Sequence, residues 1–442
     1  MRFAIATLML ATLPVVPALA QTAPATQEAA PVASEQLKTR LAELVTLFQG
    51  KGDYEAYFAP GFRAMVPKAQ MDQTITQVVA TLGPVTRVES VTVKSPWVAE
   101  IVLGFRDGTA SGVIGVDATP PHQVSTLRFT GLSGREASID AVRTTLRALP
   151  GSTGFAYARL GDGAPTLIAG DNSERPFALG SGFKLIILAE LIRATNAGER
   201  KWDDMVTLDG RPLPGGTYTL LPAGTKISLR ELASKMISIS DNSATDILLH
   251  LVGRTRVEAM LRVTGVADPA GMIPFMSTLE MFKLKGIPSM AERYLALDAT
   301  GRRRMLDGEV TSAPITDISP TLFRDGKPIL IDRLEWFATP SDMVRVMDWI
   351  RRNTASGAGA EARKILGINP GVGPAVAARW KSVGYKGGSE PGVIHMTMLL
   401  EGKDGNWYVV TGSWSNPAAA VEDARFATLI GRAVELAAPP AP

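Results

Sequence analysis

The stretch ALGSGFKLIILAEL, residues 178–191, sets Ser181 three positions ahead of Lys184, where a glycine-flanked turn enters an apolar, helix-compatible run. Residues three apart share a helix face, so Lys184 is expected within reach of the Ser181 hydroxyl. A serine at a helix start also holds one of the unsatisfied NH donors of the first turn, which can stabilise an oxyanion. Burial and neighbouring cations disfavour a charged lysine, and the neutral amine can accept the serine proton. The same local pattern also suits a serine that merely caps a helix. One S-x-x-K is expected about once by chance in a chain of this length, so the choice depends on what accompanies it.

Two further motifs follow in order. SLRELASKMISISDNSATDILLHLV (228–252) reads as helix, short break and helix, with Ser240-Asp241-Asn242 at the break. There Ser240 can relay a proton to a leaving group and Asn242 can hold a substrate amide; alternatively Ser240 or Asp241 caps the second helix. WKSVGYKGGSEPG (380–392) is strand-like before its glycines, and Lys386-Gly387-Gly388 would expose a backbone edge along which a substrate can lie. Lys386 would attract an anionic group and the Ser389 NH would be a second oxyanion donor; the alternative is a β-turn with a surface lysine.

Working outward, REASIDAVRTTLRALPGSTGFAYARL (135–160) places Ile139, Val142, Leu146 and Leu149 on one helix face ahead of a strand. The C-terminal VEDARFATLIGRAVELAA (421–438) does the same with Phe426, Ile430, Ala433 and Val434, behind strands GVIHMTMLLEG and NWYVVTGSWS. This predicts a sheet closed by distant parts of the chain, with a mainly helical insertion between. Nearer the N-terminus, Leu37, Leu41, Leu44, Val45 and Phe48 have helical spacing, and a second helix is expected across residues 68–83. Four β-rich pieces follow up to Phe129, with Arg106-Asp107-Gly108 as a hairpin signal. His122 and Trp97 are expected in those strands as packing or surface residues.

The first residues, MRFAIATLMLATLPVVPALA, combine a basic Arg2, an apolar run and Ala18-Leu19-Ala20, the pattern of a cleaved signal peptide over 1–20. The Ala- and Pro-rich residues 21–34 read as a flexible linker, and export to the periplasm or medium is expected. With no cysteine in the chain, disulfides and thiolate chemistry are excluded. The formal charge of +3 is too small to argue for a nucleic-acid partner, and no run after the signal is long enough to span a bilayer. His122, His250 and His395 lie far apart without metal-ligand spacing, so neither a metal nor a cofactor is expected; His250 reads as a packed helix residue.

With these motifs in this order, residues 135–438 resemble the penicillin-recognising serine hydrolases, specifically class A-like β-lactamases. GTKISLRELASKMISISDNSATDILL resembles the family segment around its serine-aspartate-asparagine loop, and ATPSDMVRVM the stretch after its omega loop. The resemblance implies a β-lactamase-like α/β sandwich with an all-α subdomain over 134–442 and the site between them. It implies Ser181 as acylated nucleophile, Lys184 as its base partner and Ser240 as proton relay. Asn242, Lys386, Gly388 and Ser389 would bind substrate. The preceding α+β unit over 35–133, helices then antiparallel sheet of a cystatin/NTF2-like kind, is similar to that of a subgroup related to a hydrolase-like protein from clavulanate biosynthetic clusters.

Two departures matter. Class A enzymes deacylate through a glutamate followed four positions later by asparagine, and no E-x-x-x-N lies between Asn242 and Thr339. Glu280 and Glu335 are the nearest candidate bases by position, each with a structural role as alternative, and Ser277 is expected near the site mouth. The family usually has a hydroxyl residue where this chain has Gly387. The expected activity is therefore acylation by a β-lactam or a related ester or amide. The alternatives are a D,D-peptidase acting on peptidoglycan peptides, or an acyl-trapping sensor or pseudoenzyme with little turnover.

Overall fold

The computed structural model describes residues 31–440, so the expected signal peptide and most of the linker lie outside the described residues. Helix α1 (Glu35–Phe48) starts at Ser34, whose hydroxyl accepts the Leu37 NH, and buries Leu37, Leu41, Leu44, Leu47 and Phe48. With α2 (Lys68–Leu82) it covers a four-stranded antiparallel meander, β1 (Val85–Ser95), β2 (Val98–Phe105), β3 (Gly108–Val116) and β4 (Val124–Gly134). The Arg106-Asp107 turn joins β2 to β3 as expected. Trp97 and His122 differ from expectation: both lie in turns, and their rings stack at 5.5 Å.

The second sheet is built from both ends of the remaining chain. Its order is β7 (Ser382–Glu390), β8 (Val393–Glu401), β9 (Trp407–Ser415), β5 (Ser152–Leu160) and β6 (Thr166–Asp171), all antiparallel. Trp407 pairs with Leu160 and Ser415 with Ser152, so a strand following most of the chain closes onto one that precedes it. On one face lie α3 (Ile139–Arg147) and the C-terminal helix α9 (Asp423–Ala437), burying Val142, Leu146, Phe426, Ile430 and Val434 against Met396, Met398 and Val410.

The other face packs on α8 (Pro340–Asn353) and on α4 (Lys184–Asn196), where Leu185 to Ile192 are all buried. A helix buried on every side belongs in a core, with Glu190 there paired to Arg193, and α4 is the axis around which the helical subdomain assembles. That subdomain includes α5 (Leu229–Ser238), α6 (Asn242–Val252) and α7 (Thr278–Gly286). The N-terminal sheet docks on the rest through β4 and α9: Ser133 Oγ donates to Glu435 Oε2 at 2.9 Å, and Arg432 Nε to the Glu136 carbonyl at 2.8 Å. Among the described residues, no helix is long and apolar enough to cross a membrane.

Candidate active site

Ser181 does not open α4 directly. It lies in a 3-10 turn, Gly180–Phe183, that runs into the helix at Lys184. Two glycines let β7 approach that turn: a Cβ on Gly388 would land on the Ser181 backbone nitrogen, and one on Gly180 (φ +46°) would meet the Ser389 nitrogen at 3.0 Å. The backbone nitrogens expected as oxyanion donors are therefore neighbours. Behind the turn Phe183 stacks on Trp336 at 3.8 Å, which fixes its orientation from the opposite side.

The break between α5 and α6 supplies the next groups. Asp241 is the helix cap, taking the Ala244 NH at 2.8 Å on Oδ1 and the Thr217 NH at 2.7 Å on Oδ2. With capping assigned to Asp241, Ser240 and Asn242 turn toward α4. Ser240 has a φ of +59°, uncommon for a residue with a side chain, and its carbonyl accepts from Lys184 Nζ at 2.6 Å. Lys184 also donates to Asn242 Oδ1 at 2.8 Å and lies 3.2 Å from Ser240 Oγ, which Lys386 Nζ reaches at 2.9 Å. Ser181, Lys184, Ser240, Asn242 and Lys386 thus converge from three separate segments. The expected direct bond from Lys184 to Ser181 is absent: the amine is turned to the Ser240-Asn242 break, and the Ser181 hydroxyl has no partner among the described residues.

Burial dominates the electrostatics. It pushes the Lys184 ammonium down to about 7, against the pull of Asp246 and Asp241. Lys386 is held well below an ordinary lysine by burial and then by the Lys184 charge. His395, opposite Gly388 on β8, is pushed down to about 3 by burial and by Lys386, so it is a neutral ring between Ser413 and Thr397. An amine that loses its proton near pH 7 can serve as the base that nucleophilic acyl chemistry requires, and here it is turned to Ser240 and Asn242 rather than to Ser181.

Ser181, Ser240, Asn242, Lys386, Gly388 and Ser389 line one cavity of about 920 Å³ that extends along β7 to Thr130 and Leu132 of β4. Glu280, Glu335 and Ser277 do not line it. Ser277 and Glu280 form a capping box at the start of α7, and Glu280 Oε1 pairs with Arg254 at 2.6 Å. Ser277 is buried there rather than standing at the mouth, because its hydroxyl takes the Glu280 NH at 3.2 Å. Glu335 is buried with Lys285 at 2.9 Å, and the same ammonium reaches Glu390. His250, expected to be packed, is instead exposed at the end of α6, its Nδ1 2.6 Å from the Asp246 carbonyl.

Two groups near the site were not legible as motifs. Asp246, one turn along α6 from Asn242, is fully buried and takes the NH groups of Thr278 and Leu279 at 2.8 and 2.9 Å. Tyr385 lines the cavity beside Lys386. A tyrosine immediately before the lysine, with a glycine immediately after it, was the available signal.

Residues 136–436 match the family model described as the Beta-lactamase enzyme family. No curated protein matches the chain. Among solved structures it is similar to a β-lactamase from Sphaerobacter thermophilus DSM 20745, at 22% identity over 67% of this chain and 95% of that one, with a TM-score of 0.45. A β-lactamase from Chitinophaga pinensis DSM 2588 aligns at 18% identity over 67% and 95%, TM-score 0.46. The protein PBP-A aligns at 15% identity over 67% and 93%, TM-score 0.45.

Proposed function

The chain belongs to the β-lactamase enzyme family, and from that premise we propose that it is an exported serine hydrolase acylated on Ser181 by a β-lactam or a related ester or amide. One observation carries this reading: the buried Lys184 amine, which titrates at about 7, shares a hydrogen-bond network with Ser240 and Lys386 at the wall of the cavity that Ser181 lines.

In this reading the neutral Lys184 amine turns to Ser181 and takes its proton as Oγ attacks the substrate carbonyl. The backbone NH groups of Ser181 and Ser389 hold the developing oxyanion. As the carbon–nitrogen or carbon–oxygen bond breaks, Lys184 returns the proton through the Ser240 hydroxyl to the leaving atom, leaving Ser181 as an ester and the amine neutral again. Asn242 binds the substrate amide. The unit over 35–133, of a cystatin/NTF2-like kind in this reading, walls the far end of the cleft.

Release of the acyl group is the slow step. Asp423 is the only carboxylate lining the cavity among the described residues, and it stands on the Ser389 side. This favours a second reading, an acyl-trapping protein that turns over little. Intact mass after mixing with benzylpenicillin tests both: a lasting adduct supports the trap, a transient one the hydrolase. An adduct that persists unchanged in Ser181→Ala, or none with any lactam or activated ester, sinks the acylation reading.

A further inference from the structure

Lys386 and Tyr385 stand on opposite faces of β7, the edge strand of its sheet. Lys386 is paired across to Thr397 and Gly388 to His395, on the face that meets Ser181 and Ser240. Tyr385 is paired to Met398 and Gly387 to Met396, on the face that packs against α9. The cavity of about 920 Å³ is lined from both faces, by Ser181 and Lys386 and also by Tyr385 and Ala427, so it wraps round the free edge of the strand. That size lies toward the top of the roughly 300–1,000 Å³ of small-molecule sites.

One wall of the cavity runs without a break from the Ser240 segment to the N-terminal unit. Asn369 Nδ2 donates at 3.1 Å to the carbonyl of Ser238, two residues before Ser240. The chain then turns at Gly371, φ +67°, where a Cβ would land on the Tyr385 ring, and reaches Gly373. There it meets β4: a Cβ on Gly131 would lie 3.2 Å from the Gly373 Cα, so the two backbones touch. β4 is bulged at this point, because Ser111 pairs with Gly131 and Gly112 with Phe129, leaving Thr130 as the extra residue. Bulge and glycines together bring Thr130 and Leu132 into the cavity that holds Ser181.

The lobe they close is apolar, lined by Leu132, Val372, Val376, Ala427 and the Tyr385 ring. Among the described residues, the charged side chains lining the cavity are Lys386, bonded to Ser240, and Asp423, bonded to Ser389. Neither stands at the Leu132 end. From the Ser389 NH back to Tyr385 is four residues of strand, about 13 Å, a reach that calls for a sizeable substituent.

The leaving atom is the one served by Ser240, and the wall starts beside that residue. What the leaving part of the substrate carries is therefore directed along residues 369–373 toward Leu132. We propose that Thr130 and Leu132 of the N-terminal unit complete a leaving-group subsite across the edge of β7, which selects substrates bearing a bulky apolar group, aryl or alkyl, on the leaving-atom side. The proposal rests on acylation at Ser181 and adds the class of substrate that this site takes.

Nitrocefin and the cephalosporin that has a methyl group in place of its dinitrostyryl substituent share one acyl part and differ on the ring that holds the leaving nitrogen. Time-resolved intact mass reads the acylation of each. Nitrocefin is expected to half-saturate acylation at the lower concentration. Leu132→Ala should raise the nitrocefin value about fivefold relative to that of the methyl compound, the loss of part of an apolar contact. Thr130→Trp fills the lobe from the half-buried bulge and should raise the same ratio about tenfold or more, with melting temperatures reporting on the fold of both variants. A ratio unchanged in both variants, or a methyl compound that half-saturates as low as nitrocefin, overturns the proposal and leaves acylation at Ser181 standing. Calorimetric binding of nitrocefin to Ser181→Ala, with and without Leu132→Ala, separates the two readings. If wild type is never acylated but nitrocefin binds more weakly once Leu132 is truncated, the subsite stands and only the acylation reading falls. If nitrocefin neither acylates wild type nor binds Ser181→Ala, both fall.

Discussion

Lys386 Nζ donates to Ser240 Oγ at 2.9 Å, and the same oxygen lies 3.2 Å from Lys184 Nζ. A hydroxyl between two buried amines can take a proton from one side while giving its own to a leaving atom. Ser240→Ala removes that bridge but leaves the carbonyl that accepts from Lys184. Acylation should slow by about 10²-fold or more, in line with the loss of a positioned proton donor. Pre-steady-state acylation rates check this, with an unchanged melting temperature excluding a folding defect.

The Lys184 amine must be neutral to accept the serine proton, and burial sets its titration at about 7. The acylation rate should therefore be low on the acid side, rise with pH through about 7 and level off above it. A rate that falls across that range removes Lys184 as the base. Stability gives an independent readout. Between about 7 and the ordinary lysine value of 10.5, the unfolded chain binds a proton that the folded chain does not, so stability should rise with pH across that window. Denaturant midpoints in Lys184→Met should show a flatter slope there.

The three motifs were legible because each brings its own chemistry within a few residues, and the structure gathers them. Their mutual bonds were not. S-x-x-K spacing implied a Lys184 to Ser181 contact, but the lysine is turned toward Ser240 and Asn242, residues 56 and 58 positions away. The helix faces at 35–48, 139–147 and 423–437 could be read from periodicity, since burial of one face is written in the spacing of apolar residues. Ser277-Thr278-Leu279-Glu280 also carried a readable signal, the capping box, which accounts for Glu280 without catalysis. Tyr385 carried only its place immediately before Lys386 as a signal, because the seat of its ring against Gly371 and Gly387 is a property of the fold around it.

Lys285 is a strong test of how the segment behind the site is held. Its side chain is fully buried, with Glu335 at 2.9 Å and Glu390 also in contact, and burial pushes Glu390 well above the usual carboxylate range. Lys285→Met removes the only cation and leaves two acids facing each other. Loss of one partner from a buried ionic cluster costs about 3–5 kcal/mol. Chemical denaturation should show a loss of that size, and wild-type stability in Lys285→Met removes this cluster from the account of the fold.

Glu280 separates structural from catalytic carboxylates. Its two oxygens are committed to Arg254 and to the Ser277 NH, at 2.6 and 2.7 Å, and neither reaches the cavity of Ser181. Glu280→Gln keeps the shape but removes the charge that pairs with a mostly buried guanidinium. It should lower stability by about 1–3 kcal/mol, the cost of an unsatisfied charged partner. The lifetime of a penicilloyl adduct on Ser181, followed by intact mass, should stay within about twofold of wild type, because water activation does not pass through this residue. A much longer lifetime in Glu280→Gln, at unchanged acylation rate, would reverse the assignment and make Glu280 the deacylating base.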